Sequence, residues 1–575
     1  MDSSIQEKKS VKIAVIGSGL AGLSAAYLLK KGTQDQENVD IDVHLFEKNC
    51  MIGMDAASIS IKSDDDDVRI DVPMRSFMSG YYAHLIRLYK HLDIPVKPAS
   101  FSYGWYSIES RHPINMPAQH VASYTDNRSY LTYSGSRTVG RLNATLRSSS
   151  STLSTSPLKS SSSSSSTTTT TTSSLWSSSS SSISSSTSIK SSWNTWVYDL
   201  FMSWWIMLTV AFSYTWLMII TLWLHHRGHL RNEKHPIANM TLGQWFKHYH
   251  IHPYFAHQVF VPLFAAVCTN SWEAMLNYPA TEVLEYMALG LFQESYVVTQ
   301  GIRQVVDRLS EPLTDIHLGV QIQSIQPSKS SRKYILKDDQ DKTYECDHII
   351  FATQANQALT MLQTYYQHLE QQQKEEKDTS LVSLEAQISM LKQFSYDTSL
   401  VINHTDSRLL PSDRRHWRAL NFARVDQSIQ PDPMNDSRFI VPFPHDTTMT
   451  THILNWTYSR LGDHTKQQSS SYLYLQTTNP CISPDPKHIL SASWFERATV
   501  TLASKRAIES DLFPLKKGTK GEVSLGHCQG TNGIWFVGSY CWRGIPLLEG
   551  CVASAEKVVV DGIGRQENIQ VKVPW

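Results

Sequence analysis

Apolar positions in the first fifty residues fall into three blocks with different periods. Residues 12–16 form a short continuous run with Val and Ile, the pattern of a parallel strand buried on both faces. Residues 23–29 are rich in helix formers, and Gly32 stands where such a helix would stop. Residues 41–46 are a second apolar run, which ends on Glu47. Between the first strand and the helix lies Gly17-Ser18-Gly19-Leu20-Ala21-Gly22. Strand, glycine turn, helix, strand and acid thus follow in the order of a βαβ unit. In such a unit Gly17 makes the tight turn, Gly19 lets the backbone approach a pyrophosphate, and Gly22 lets the helix pack close on the strand. The helix N-terminus offers free N–H groups to phosphates, and Glu47 can accept from ribose hydroxyls. These residues predict a bound dinucleotide and leave FAD and NAD open.

Further along, strands are expected at 57–61 and 68–72, with the acidic run 64–67 as a solvated hairpin tip. Residues 81–91 carry Leu85, Leu88 and Tyr89 at helical spacing, and 101–106 and 130–133 read as aromatic strands. Residues 148–192 are low-complexity Ser and Thr, which bury too little apolar surface to order themselves, so a disordered insertion is expected. Helices are predicted at 242–246, 260–268, 280–289 and 301–309. Strands are predicted at 319–325 and 348–353, with a hairpin at 331–336 and 342–345. Residues 367–377 read as charged and exposed. Residues 399–403, 417–422 and 452–457 suggest a mixed sheet. A last apolar strand at 533–538 precedes a final helix from 547, packed on the first βαβ unit.

One stretch departs from all this. Residues 200–224 hold no charge, follow Trp193 and Trp196, and precede His225, His226, Arg227 and Arg231. Length, composition and aromatic flanks suit a bilayer segment; a very apolar core helix is the alternative. If the two ends of the chain share one nucleotide site, a full crossing would put them on opposite sides of the bilayer. The segment is therefore expected to dip into or lie along one leaflet, beside the site entrance.

Charge is balanced, with 52 basic and 52 acidic residues, which gives no reason to expect nucleic acid. The seven cysteines are scattered without a CxxC pair, as in a reducing compartment, and no metal site is predicted. Residues 1–10 have no apolar core, so no signal peptide is expected. The sequons at Asn127 and Asn455 then read as chance.

Three blocks occur in a diagnostic order: GSGLAGLSAAYLL from Gly17, FATQANQAL from Phe351, and WFVGS from Trp535 followed by EGCVASA from Glu549. In this the chain resembles the flavin-containing amine oxidase superfamily, which includes monoamine oxidases, phytoene desaturases and protoporphyrinogen oxidase. Within it, Leu242 to Trp245, Tyr296 to Arg303, Leu409 to Pro411 and Thr478 to Pro480 look like the FAD/NAD(P)-binding oxidoreductases found beside cyclopropane fatty acid synthases. The resemblance implies an α/β fold. A Rossmann-like FAD-binding domain, three-layer β/β/α, would carry an inserted α+β substrate domain. The FAD-binding parts would be 1–100, 296–360 and 501–575. The substrate-domain parts would be 101–147, 231–295 and 361–500, with the Ser/Thr insertion at 148–192 and the apolar segment at 193–230.

The resemblance also implies FAD as cofactor. Gly17, Ser18, Gly19, Leu20, Ala21 and Gly22 would hold its pyrophosphate, and Glu47 with Lys48 its adenosine ribose. Ile322 would contact adenine through its backbone. Ala352 and Thr353 would pass near the cofactor, and Gly538 and Ser539 would lie beside its ribityl chain. Glu549, Gly550, Cys551 and Val552 would begin a helix whose N–H groups stabilise negative charge on reduced flavin. Three departures stand out: a single glycine at Gly53 where many members have a pair, Ser539 where many have an acid, and Val72-Pro73-Met74-Arg75 in place of a glycine-rich turn. Arg75 either faces the flavin or pairs with Asp71. Tyr540, Trp542 and Arg543 either wall the isoalloxazine or pack in the core. His225 and His226 either relay protons or anchor at an interface, and Cys551 is a candidate for covalent attachment. The expected activity is hydride removal from a lipid or isoprenoid by a membrane-associated enzyme with its flavin domain on the cytosolic side. A soluble-amine oxidase and a non-catalytic dinucleotide-binding membrane protein are the alternatives.

Overall fold

A computed structural model describes residues 8–36, 38–61, 68–99, 101–110, 125–136, 139–144, 186–328, 332–372, 379–425, 446–455, 473–516 and 522–575. Strand β1 (Lys9–Ile16) leads into helix α1 (Leu20–Lys31), and β2 (Val39–Glu47) returns parallel to β1, with Ile13 opposite Val43 and Ile16 opposite Phe46. The apolar runs are continuous because both faces are covered: Ile13, Val15, Val43 and Leu45 are all buried. His348–Phe351 lies on the other side of β1, and Ile534–Phe536 beyond it; Asp315–Leu318 pairs with the outer edge of β2. All five strands are parallel, though they come from four distant parts of the chain. α1 packs against the helix Leu548–Lys557. The antiparallel meander Ile322–Pro327, Tyr334–Asp338 and Thr343–Cys346 adds the third layer, with Tyr344 edge-on to Phe46 at 4.9 Å. Helix α2 (Ala83–His91) buries Leu85, Leu88 and Tyr89 in the same core, as their spacing predicts.

The second body is an eight-stranded sheet. Its order is Ile489–Thr499, Ser395–His404, Leu475–Thr478, Met449–Ile453, Leu420–Val425, Tyr103–Ser110, Thr125–Ser136, Val139–Ala144. Every neighbouring pair is antiparallel except Leu420–Val425 with Tyr103–Ser110. Trp105, Leu131 and Phe422 on this sheet share a core with the helices of 242–290 and with helix α3 (Ser186–His226). The two bodies are interwoven. Strands before α3 pair with strands after it in both sheets, so both ends of α3 attach to one folded mass.

Two expectations need correction. Residues 361–372 of helix Ala355–Gln372 and all of helix Thr379–Leu391, expected in the substrate part 361–500, pack elsewhere: Leu362, Leu384 and Leu391 bury in the parallel-sheet core. They follow directly from strand His348–Phe351, and their apolar positions have only that core within reach. The predicted Ser/Thr loop also ends early, since α3 begins at Ser186; residues 148–185 and the acidic run 64–67 lie outside the described residues. The sequon residue Asn127 is buried, its amide donating to the carbonyls of Arg408 and Leu410.

Candidate functional site

The glycine turn is shaped by what each missing side chain would strike. Gly17 sits at φ +105°, and a Cβ there would come 2.9 Å from the Ala352 carbonyl oxygen. A Cβ on Gly22 would come 2.0 Å from the Gly17 carbonyl oxygen and 3.0 Å from Ala352 Cβ. Gly19 differs: its backbone is extended, and a Cβ would meet nothing within 4 Å. Open space therefore faces the start of α1, which has no side-chain cap and no acid in its first turn. Ser18, Leu20 and Ala21 are buried around it. An uncapped helix start facing such space fits the pyrophosphate of a dinucleotide.

Glu47 is buried at the end of β2. Its Oε2 accepts from Ser18 N at 3.1 Å and Ser18 Oγ at 2.6 Å; its Oε1 accepts from Asn49 N at 3.0 Å and Asn49 Nδ2 at 2.8 Å. Ser18 Oγ in turn accepts from Gly53 N at 2.7 Å. A Cβ on Gly53 would approach Glu47 Oε2 to 3.0 Å, so this single glycine is needed where it stands. The carboxylate is fully satisfied by protein donors, so a ribose hydroxyl would have to displace the Asn49 amide to reach Oε1. Lys48 is exposed. Gly319 N and Val320 N bond to the carbonyls of Asn49 and Glu47, which brings buried Ile322 beside this loop.

The C-terminal block closes the site from the other side. Ala352 N donates to Ile16 O, and Val537 N to Phe351 O, so Ala352, Thr353 and Gly538 lie at the same strand ends as Gly17. Gly538 N donates to Ser554 Oγ at 3.0 Å, and a Cβ on Gly550 would touch Ser539 O at 3.0 Å. Val552 is fully buried. Cys551 faces the backbone N–H groups of Ala21 and Ser539, and burial pushes its thiol up to about 11. It therefore stays protonated at neutral pH, which disfavours a covalent flavin link. The Glu549 carboxylate is turned away: it accepts from His84 N at 3.0 Å, Leu85 N at 3.1 Å and His84 Nδ1 at 2.7 Å, capping α2. Any part Glu549 has with a flavin comes through its backbone.

The remaining candidates separate clearly. Arg75 Nη2 donates to Met54 O at 2.9 Å and makes no ion pair with Asp71, whose Oδ1 accepts from Ile302 N at 2.9 Å. Tyr540 is buried edge-on to Phe394 at 5.0 Å; Trp542 lies edge-on to Phe513 at 4.9 Å; Arg543 pairs with Glu509 at 3.1 Å. Tyr540 and Trp542 thus have packing partners and Arg543 an ion-pair partner within the protein. His225 is half-buried and His226 exposed at the end of α3. Sequence reasoning missed Arg497, on strand Ile489–Thr499, whose electrostatic surroundings include Arg75 and Cys551. The signal was there: Leu490, Ala492, Trp494 and Glu496 are exposed while the residues between them are partly covered, a period of two.

From this point tyrosines run towards α3. Tyr81 meets Tyr286 at 4.9 Å, Tyr103 meets Tyr133 at 6.2 Å, and Tyr103 is within electrostatic reach of Tyr214 on α3. Burial pushes Tyr103 up to about 12 and raises Tyr81 and Tyr286 further, yet each keeps some accessible surface.

Two family profiles match the chain: an NAD(P)-binding Rossmann-like domain over residues 15–92, and flavin containing amine oxidoreductase over residues 233–383. The two matches together support the flavin-containing amine oxidase superfamily. As a member of that superfamily it is an FAD-dependent oxidoreductase. The first profile runs from the end of β1 through α1, β2 and α2, and the second takes in the helical part and the meander. Among solved structures, the chain is similar to a putative protoporphyrinogen oxidase from Exiguobacterium sp. 255-15 at 11% identity and TM-score 0.49, covering 97% of this chain and 100% of that one. It is similar to cyclohexylamine oxidase from Brevibacterium oxydans IH-35A at 10% identity and TM-score 0.46, covering 97% and 99%. An oxidoreductase from Methanosarcina mazei shows 11% identity and TM-score 0.46, covering 95% and 99%. Likeness at this level says nothing about substrate. A search of curated protein sequences finds no match.

Proposed function

We propose that this flavin enzyme oxidises an apolar molecule, a lipid or isoprenoid, that reaches it from a bilayer beside α3. The observation that carries the reading is the double character of α3. Val210, Ser213, Leu217, Thr221 and Leu224 recur at helical spacing and are buried on the side of α3 that shares a core with the helices of 242–290. Phe201, Trp204, Trp205, Leu208 and Phe212 stand exposed, with Phe212 at 73%. Val197–His226 is long and apolar enough to cross a membrane, with a mean hydropathy of 1.8. An exposed apolar patch of this size marks an interaction surface. Because strands before and after α3 interlock, the reading is attachment to one leaflet rather than a crossing. The seven cysteines are all free, which supports a cytosolic face for the flavin domain.

Bound FAD supplies two-electron oxidation of a C–H or C–N bond. The chain's part is positional: the turn at 17–22 and Glu47 hold the cofactor, the tyrosine row excludes water and guides an apolar chain, and the 551 end fixes where the substrate stops. The test is anaerobic. The purified flavoprotein should bleach with a lipid extract and co-float with phosphatidylcholine vesicles. Bleaching by soluble amines alone, with no vesicle binding, would contradict the reading.

A further inference from the structure

Two cationic segments flank the exposed face of α3, and each is tied to it by a tryptophan that is itself exposed. Trp223, 51% exposed, packs on His229 with ring centroids 5.6 Å apart, and His229 stacks on His235 at 4.3 Å. The turn after α3, with Arg227 and Lys234, is thereby drawn against the last turn of the helix. Trp216, seven residues earlier on the same face, donates from Nε1 to the carbonyl of Tyr249 at 3.0 Å. That bond holds the end of helix Leu242–His248, with Lys247, against the middle of α3.

Little within the chain balances these cations. Residues 225–252 hold four Lys and Arg and one acid, Glu233, which pairs with Arg543 at 3.4 Å. Arg231 pairs with Glu285 at 2.5 Å. Arg227, Lys234 and Lys247 are exposed and make no ion pair among the described residues. Arg506 adds another exposed guanidinium, held to Asn239 Oδ1 at 2.9 Å. The one acid of α3, Asp199, lies about 40 Å along the helix from Arg227.

Unpaired cations beside exposed tryptophans suit a bilayer surface, where aromatic rings enter the acyl boundary while Lys and Arg stay among the headgroups. The place of Lys247 also bears on orientation. Its helix end meets α3 at Trp216, about 16 Å along the axis from Arg227. Were α3 to stand across the bilayer with Arg227 at the headgroups, Lys247 would sit in hydrocarbon. Both reach the headgroups together when α3 lies along the leaflet.

We propose that this surface docks on an anionic leaflet. The face bearing Trp216 and Trp223 dips into the acyl boundary, and Arg227, Lys234 and Lys247 meet the phosphates of acidic phospholipids. This rests on the reading that α3 contacts a bilayer, and it names the lipid charge that recruits it.

The experiment is flotation of the FAD-loaded full chain with two kinds of vesicle, phosphatidylcholine alone and phosphatidylcholine mixed with phosphatidylglycerol. The mixed vesicles should bind about 100-fold tighter at low salt, and the advantage should fade as salt rises. Arg227→Gln, Lys234→Gln and Lys247→Gln combined should remove that advantage while binding to phosphatidylcholine alone, flavin content and melting temperature stay unchanged. Each single substitution should cost about 5-fold on the mixed vesicles, and the three singles carry the test if the combined variant is unstable. Equal binding to both vesicles would overturn the proposal and leave the reading of α3 as a membrane contact intact. A preference for the mixed vesicles that the combined variant keeps would also overturn it. Binding to neither vesicle would overturn both.

Discussion

Ser18 Oγ donates to Glu47 Oε2 at 2.6 Å while accepting from Gly53 N at 2.7 Å. One hydroxyl thereby ties the glycine turn, the end of β2 and the following loop into a single rigid cradle. The other carboxylate oxygen is held only by Asn49, whose side chain is at the surface. A cofactor hydroxyl bound to Glu47 would therefore compete with Asn49 rather than with Ser18.

That asymmetry gives opposite outcomes for neighbouring substitutions. Glu47→Gln should weaken FAD binding about 10- to 100-fold, measured by recovery of flavin fluorescence on dilution. Asn49→Ala should bind FAD as tightly as the natural chain or tighter, because one of the two donors to Oε1, the side-chain amide, is removed while the backbone N–H stays.

The glycines should separate folding from binding. Gly22→Ala forces a Cβ to 2.0 Å from a backbone oxygen, and the chain should fail to yield soluble protein. Gly19→Ala meets nothing within 4 Å and keeps an allowed backbone, so the apo melting temperature should move by no more than about 1 °C while flavin content falls sharply. Flavin content per chain and a thermal melt of the apo form check both.

Acid should loosen the substrate sheet. His404 is buried, with Nδ1 accepting from Asp406 N and Nε2 bonded to Thr477 Oγ1, a pattern that needs the neutral ring. Burial lowers it to about 4, and burial lowers His452 to about 3. Both folded values lie below the ordinary value of 6.5, so the unfolded chain binds protons first and stability falls as pH drops from 6.5 towards 4. His404 contributes up to about 3 kcal/mol across that window. His404→Gln should flatten the pH dependence of the melting temperature between pH 4 and 6.5 and leave the slope above 7 unchanged.

The two faces of α3 should respond differently to charge. Trp204→Glu combined with Phe212→Glu should lower vesicle binding at least about 10-fold, given roughly 1.5–3 kcal/mol for each large apolar side chain buried, with flavin and melting temperature kept. Leu217→Glu, on the buried stripe, should instead yield aggregated protein.

Much of the nucleotide half was legible because its signals are local: apolar runs, Gly17 to Gly22 and Glu47 lie within forty residues of one another. The sheet order was not, since Leu420–Val425 pairs with Tyr103–Ser110 across most of the chain. Strands Ser76–Met78, Ser295–Val298 and Asp315–Leu318 are three or four residues long, too short to show a period. Helices Ala355–Gln372 and Thr379–Leu391 were assigned to the wrong body because an amphipathic helix does not say which core it covers.

The central claim is that both ends of the polypeptide grip one FAD. The direct measurement is the absorption spectrum of the purified full chain, with mass spectrometry of what heat releases from it. A flavin spectrum and about one FAD per chain, as the single site built around Gly19 requires, are the predicted result. A colourless protein with the glycines intact, unchanged by added FAD, would contradict the account.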